Sequence, residues 1–219
     1  MLSRVLEPEA MDSPEEAREY DGMDHSEVNR RFASDLLAAG AAGDMLDLGT
    51  GTAQIPIEVL RQEAEGRIMA ADVAAAMLEV AHYNVHVAGF PDRIQLDLID
   101  AKALHYRDGM FDVVMSNSLV HHLPDPFPAL QEAVRVTRPG GLLFFRDLAR
   151  PETAEELESL VTQYAGNESE PARRMFAESL RAALRLEEIQ QLLADLGFPP
   201  ESVELTSDRH WTWSARKPE

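Results

Sequence analysis

Asp44-Met45-Leu46-Asp47-Leu48-Gly49-Thr50-Gly51-Thr52-Ala53-Gln54 is the stretch that decides how this chain reads. A short apolar segment, 44–48, runs into a glycine turn, and a helical pattern over 53–65 follows. Gly49 and Gly51 let the backbone turn sharply and approach a ligand with no Cβ in the way. Thr50 or Thr52 can cap the helix. Pro56 falls in the first helical turn, where its missing N–H matters little. Gln54 stands where a dinucleotide fingerprint has its third glycine, so a tightly bound pyrophosphate, and with it nicotinamide-dependent reduction, is disfavoured.

Outward from this turn, strands and helices alternate. A second strand spans 67–71 and ends at Asp72, and a helix over 75–87 carries Met77, Leu78, Ala81 and Val85 on one face. Ile94, Leu96 and Leu98 alternate as a third strand, 111–116 is a fourth, and 126–137 is a helix. Pro139-Gly140-Gly141 is expected to turn into a fifth strand over 142–146. This alternation implies right-handed crossovers and a mostly parallel sheet: an α/β, Rossmann-like, doubly wound fold with helices on both faces. In such sheets ligands bind beyond the carboxyl ends of the strands.

The flanks read differently. Residues 1–24 are acidic, contain Pro8 and Pro14, and are expected as a mobile or loosely helical arm. Val28, Phe32, Leu36 and Leu37 then recur at helical spacing in a helix ending near Gly40. Residues 151–197 read as two or three helices broken near 166–171. Two final strands, 203–206 and 210–215, suit an antiparallel pair, with Trp211 and Trp213 packed in the core. One domain is expected over 1–219: an arm and helix to 40, a ligand-binding core over 41–150, a helical insertion over 151–200, and the last strands.

Composition sets limits. The 219 residues carry a net charge of −19 and no cysteine. Disulfides and thiolate metal sites are excluded, a reducing cytoplasm is the simplest home, and no signal peptide or membrane span is read. An acidic surface repels phosphate backbones, which argues against nucleic acids and anionic membranes as partners.

Polar residues gather at the expected strand tips. Asp72, 23 residues after Gly49, can accept hydrogen bonds from both hydroxyls of a ribose, or cap a helix. Asp100-Ala101 follows the third strand: the carboxylate can accept from an adenine amino group, or cap a turn. Ser116-Asn117-Ser118 ends the fourth strand and leads into Leu119-Val120-His121-His122-Leu123.

The series Asp47-Leu48-Gly49-Thr50-Gly51, Asp72, Asp100-Ala101, Phe111-Asp112-Val113-Val114, His121-His122-Leu123 and Arg138-Pro139-Gly140-Gly141 resembles class I S-adenosylmethionine-dependent methyltransferases. More narrowly it is similar to the small-molecule branch that includes the ubiquinone/menaquinone-biosynthesis C-methyltransferases. The resemblance implies seven strands with the last antiparallel. It implies S-adenosylmethionine as cofactor, S-adenosylhomocysteine as product, and a small organic acceptor whose methylated atom (oxygen, nitrogen or carbon) stays open. Asp47, Gly49, Thr50 and Gly51 would line the methionine end, with the contact of Gln54 open. Asp72 would hold the ribose, near Val73 and Met77, and Asp100 and Ala101 would face adenine. Asn117 would lie near the methionine moiety, and Ser118 and His122 near the sulfonium.

For catalysis, a sulfonium methyl is already activated, so the protein has mainly to align a nucleophile and exclude water. His122, and less so His121, are candidate bases or packing residues. Asp147 can orient a substrate or cap a loop. Tyr20, beside Gly22 and His25, can reach the cofactor or acceptor if its segment folds over the site. No metal is expected, because this chemistry requires none. Tyr164, Arg173, Arg174, Met175 and Phe176 can line an acceptor pocket, or pack in a core or homodimer interface. A cofactor-binding protein without transfer activity is the alternative.

Overall fold

The computed structural model describes residues 1–7, 12–62 and 66–219. Among them are eight α-helices and a seven-stranded sheet. The strands are β1 (Asp44–Leu48), β2 (Arg67–Asp72), β3 (Ile94–Leu98), β4 (Phe111–Asn117), β5 (Thr137–Leu148), β6 (Val203–Leu205) and β7 (His210–Arg216). The helices are α1 (Pro14–Asp21), α2 (Ser26–Ala38), α3 (Gln54–Gln62), α4 (Ala75–Ala88), α5 (Phe127–Val136), α6 (Ala154–Ala165), α7 (Glu170–Ala182) and α8 (Leu186–Asp195). The sheet order is β3-β2-β1-β4-β5-β7-β6. β1 pairs in parallel with β2 and β4, β2 with β3, and β6 with β7 antiparallel. This is the expected fold class, and the closing antiparallel pair is where the sequence puts it.

The chain forms two compact units, one of residues 10–117, 127–145 and 214–219, the other of 1–9, 118–126 and 146–213. In the first, β1 lies between β2 and β4, so the chain winds outward through β2 and β3 and then crosses to β4. That reversal is the switch point at which open α/β sheets bind ligands. Register places the tips: Leu48 pairs with Ala71, so Gly49 emerges beside Asp72, and Asp72 pairs with Leu98, two residues before Asp100. Met45, Leu46 and Leu48 are buried, as expected of a central parallel strand covered on both faces. Phe32 of α2 meets Phe144 edge-on at 5.3 Å in this core. Val28, expected on the same face, is exposed.

Three expectations change. The N-terminal arm contains a helix: Ser13 and Glu16 form a reciprocal capping box and Pro14 occupies the first turn of α1. Pro139-Gly140-Gly141 does not precede β5 but lies within it, because Gly140 N–H donates to Lys217 O and Lys217 N–H to Gly141 O, both at 2.9 Å. The predicted helix over 53–65 is described as Gln54–Gln62, and 63–65 lie outside the described residues, as does Pro8.

In the second unit, Trp211 and Trp213 are fully buried, and Phe198 packs edge-on to Trp213 at 5.1 Å. Leu148, Leu157, Leu180 and Ala183 form a further apolar cluster under α6 and α7. Among the described residues no helix is long and apolar enough to cross a membrane.

Gly141 is a packing constraint of the first unit. A Cβ there would stand 2.7 Å from Thr137 Cγ2 and 2.9 Å from the carbonyl oxygens of Arg138 and Asp112. Gly141→Ala is therefore expected to destabilise the protein by about 1–3 kcal/mol, lowering the melting temperature by roughly 2–12 °C in thermal denaturation. An unchanged melting temperature would contradict this account of the close packing at Gly141.

Candidate functional site

The glycine turn adopts the backbone its sequence suggests, with Gly49 at φ 70 and Gly51 at φ 55. The N–H groups of Gly49 and Thr50 both donate to Ala71 O, fastening the turn to the end of β2. Ala53 also sits at positive φ, 62, a conformation in which a Cβ is unfavourable. The turn thus needs left-handed backbone at three places, one of which the G-x-G pattern does not show.

Asp72 closes the arrangement from the neighbouring strand. Its Oδ2 accepts from Gly51 N–H at 2.8 Å and its Oδ1 from Ala74 N–H at 2.9 Å. It caps the start of α4 and ties that end to the glycine turn. A carboxylate has about four acceptor positions, so the amide bonds of Gly51, Ala74 and Val73 leave one for a ligand. Burial raises the Asp72 carboxyl above its ordinary range, the amide bonds of Ala74, Gly51 and Val73 oppose this, and Asp12 adds to it. Val73 is exposed beside it, and Met77 is buried in the first turns of α4.

Asp47 is more extreme. It is 2% exposed, and its Oδ2 has no hydrogen-bond partner among the described residues; the same holds for the hydroxyls of Thr50 and Thr52. Burial pushes its carboxyl up to about 7, with Thr50 acting in the opposite sense and Asp72 adding to the rise. Among the described residues the turn therefore presents buried polar atoms, Asp47 Oδ2 and the Thr52 hydroxyl, without hydrogen-bond partners, as expected of a ligand cradle.

Helix α1 brings Tyr20 to this place. Tyr20 packs with Ala17, Ala74, Ala76 and Met77, and its ring edge lies 3.7 Å from where a Gly51 Cβ would be. Burial first, then Asp72, Asp47 and Asp21, hold its phenol above the ordinary value. A phenol so placed is neutral near pH 7 and suits a hydrogen-bond donor rather than a base. Asp12 accepts from Ala76 N–H at 3.1 Å, a second tie between this segment and α4 that sequence reading missed.

Gln54 is engaged with neighbouring helices. Its Oε1 accepts from Asn29 Nδ2 and its Nε2 donates to Asp21 Oδ1, joining α2 and α1 to the start of α3. Asn84 Nδ2 donates to the same Asp21 oxygen and to Thr52 O. Asp100 shows its capping use: Oδ1 accepts from Lys102 N–H at 2.8 Å and pairs with Lys102 Nζ at 3.2 Å. Ala101 beside it is half-buried. Asn117, half-buried, lies two residues beyond Met115, the partner of Asp47 in the β1–β4 register.

Ser118, His121, His122 and Asp147 belong to the other unit. Ser118 has φ 61, and its N–H donates to Arg146 O. His121 and His122 lie on a short 3-10 helix, Val120–His122. His121 is 3% exposed; its Nδ1 stands 2.5 Å from Asp147 Oδ1 and its Nε2 3.2 Å from Glu7 Oε1. Burial lowers its pKa, but Asp147 and Glu7 outweigh this and lift it to about 9. Asp147, although buried, is held below the usual carboxylate range by the charge and hydrogen bond of His121. A protonated His121 between two carboxylates would have no lone pair with which to take another proton, and Asp147 contacts His121 here. His122 Nδ1 also faces Glu7 Oε1, at 3.0 Å. Glu7, 114 residues before His121 in sequence, carries no motif that marks it. Arg146 Nε donates to Thr212 Oγ1 at 2.9 Å. Tyr164 OH donates to Asp208 at 2.6 Å under the guanidinium of Arg209.

Comparison with known proteins agrees with this geometry. Residues 46–145 match the family described as methyltransferase domain. The chain is 31% identical over 181 residues to 27-O-demethylrifamycin SV methyltransferase of Amycolatopsis mediterranei, covering 80% of this chain and 62% of that protein. It is 31% identical over 123 residues to a ubiquinone/menaquinone biosynthesis C-methyltransferase of Hahella chejuensis, covering 56% and 49%. The chain thus spans half to three-fifths of the length of these relatives. The crystal structure of a SAM dependent methyltransferase from Aquifex aeolicus superposes with a TM-score of 0.68 at 18% identity, covering 94% of this chain and 98% of that one, which shows a shared fold. Residues 46–145, which hold the glycine turn, Asp72 and Asp100, are thus similar to the methyltransferase-domain family.

Proposed function

We infer that the chain binds S-adenosylmethionine at the tips of β1, β2 and β3 and transfers its methyl group to a small organic acceptor, releasing S-adenosylhomocysteine. The observation that carries this is the pairing of a bare, left-handed glycine turn with a buried carboxylate, Asp47, and a half-buried one, Asp72. A desolvated acidic turn repels a pyrophosphate and favours a ligand with positive charge at its amino-acid end. When bound, S-adenosylmethionine supplies a methyl group already activated by its sulfonium.

The residues divide the binding. Asp47, Gly49, Thr50 and Gly51 take the methionine end, where Asp47 Oδ2 and Thr50 Oγ1 offer open hydrogen-bonding positions. Asp72 takes the ribose hydroxyls on its remaining acceptor capacity. Val73, exposed at the strand tip, and Ala101 give apolar cover, with Asp100 for the adenine amino group. Tyr20 donates from its phenol to the amino-acid end while α1 excludes water. A net charge of −19 supports a small molecule rather than a nucleic acid as acceptor, and absence of cysteine supports a reducing cytoplasm. Incubation with methyl-labelled cofactor and a metabolite extract tests the reaction: label moving to a small molecule supports it. Tight S-adenosylhomocysteine binding with no labelled product at any extract concentration would assign the chain to non-catalytic cofactor binding instead.

Two outcomes follow by calorimetry with S-adenosylhomocysteine. Asp72→Ala removes charge-assisted bonds to two hydroxyls, worth about 1.5–3 kcal/mol each, and is expected to weaken binding at least a hundredfold; unchanged affinity would remove Asp72 from the ribose role. Asp47 gives a pH signature. Its carboxyl holds a proton until about 7, and the ionised form attracts the ligand ammonium, so affinity should rise about tenfold from pH 6 to pH 8 and level off above. Asp47→Asn should abolish that rise. The sign for stability is opposite: the unfolded carboxyl ionises near 3.8 and the folded one near 7, so this group favours unfolding increasingly as pH climbs through that window. Asp47→Asn should therefore raise the melting temperature of the unliganded protein at pH 8 relative to pH 4; an equal effect at both would contradict the shift.

A further inference from the structure

Glu7, His121 and His122 bring three donor atoms of metal-binding type within 4.8 Å of one another. Glu7 Oε1 stands 3.2 Å from His121 Nε2 and 3.0 Å from His122 Nδ1. Around a tetrahedral zinc ion with bonds of about 2.0–2.1 Å, neighbouring donors stand about 3.3 Å apart, so both separations fit edges of such a tetrahedron. The far side of His121 is arranged as metal-bound imidazoles usually are. Asp147 Oδ1, 2.5 Å from Nδ1, accepts its proton and directs the Nε2 lone pair towards Glu7 and His122.

Charge points the same way. Glu7 and Asp147 place two negative charges in a poorly hydrated pocket, with Glu7 10% and Asp147 1% exposed in their side chains. A divalent cation between them would offset that charge. The two histidine rings lie with centroids 4.1 Å apart, tilted by 34°. We propose that Glu7, His121 and His122 form a binding site for a divalent transition cation of the zinc type, with Asp147 orienting His121 and the fourth coordination position open to water or a further ligand. Two imidazoles and one carboxylate select such an ion over Mg²⁺ or Ca²⁺, which take oxygen ligands. The cation would clamp the N-terminal segment to the 3-10 helix. Arg4 already ties the two together, donating to Leu123 O at 2.9 Å, and anchors the segment through Ala182 O at 2.7 Å.

Calorimetric titration of chelator-treated full-length protein with Zn²⁺ tests this. The background is the double variant His82→Ala, His86→Ala, which removes an exposed histidine pair one helical turn apart on α4 that can itself take zinc. The site predicts one equivalent bound with submicromolar affinity, a loss of at least a hundredfold in Glu7→Gln, and a ten- to hundredfold loss in Asp147→Asn, which changes only the orienting group. Mg²⁺ should not compete. Where a variant does not fold, cobalt(II) loading of the same background reports directly: intense visible bands of a four-coordinate nitrogen–oxygen site support the assignment. No Zn²⁺ or Co²⁺ uptake, equal affinity in folded Glu7→Gln, or displacement by equimolar Mg²⁺ would overturn it. None of these readouts depends on S-adenosylmethionine binding or methyl transfer.

Discussion

Asp47 and Asp72 stand at the tips of adjacent parallel strands where burial disfavours either charge, and the rest of the first unit is arranged around that conflict. Asp72 resolves it through backbone amides, accepting from Gly51 and Ala74 and so holding the glycine turn against the start of α4. Asp47 has no such donors and keeps its proton towards neutral pH. The turn needs left-handed backbone at Gly49, Gly51 and Ala53 to bring these amides round. Helix α1, tied by Asp12 and Asp21, then lays Tyr20 against the turn and limits water. Buried acid left without a compensating positive group marks a place where a cationic ligand contributes binding energy that the protein alone does not have.

Much of this was legible in the sequence, for identifiable reasons. Local signals were strong in the first unit. Apolar strands, a glycine turn and helices of two to four turns alternate without interruption from Asp44 to Val136, and each tip residue follows its strand directly. Asp72 was read as ribose acceptor or helix cap, and the structure gives it the capping bonds with acceptor capacity to spare. Pro139-Gly140-Gly141 has the local look of a turn yet lies within β5, because its pairing partner, Lys217, is far along the chain. Helix α1 was missed as an ordered element, although Ser13, Pro14 and Glu16 spell a capping box, because acidity and two prolines suggested a solvated arm.

Side-chain partners across long sequence separations were not legible. Gln54 faces Asn29 and Asp21, and His121 faces Glu7 and Asp147, contacts that no local pattern encodes. The result for the histidines is instructive. Their place in sequence after the fourth strand suggested a base. Their surroundings supply negative charge on two sides, and a positively charged species, a proton or a cation, is what that pocket holds best.

The central claim is that the glycine turn and the carboxylates at the β1 and β2 tips grip an adenosyl amino acid. A crystal structure grown with saturating S-adenosylhomocysteine tests it most directly. The account predicts ribose hydroxyls on Asp72 and the amino-acid end over Gly49 to Gly51, beside Asp47. Ligand density at any other place, or a glycine turn without ligand at saturating concentration, would contradict it.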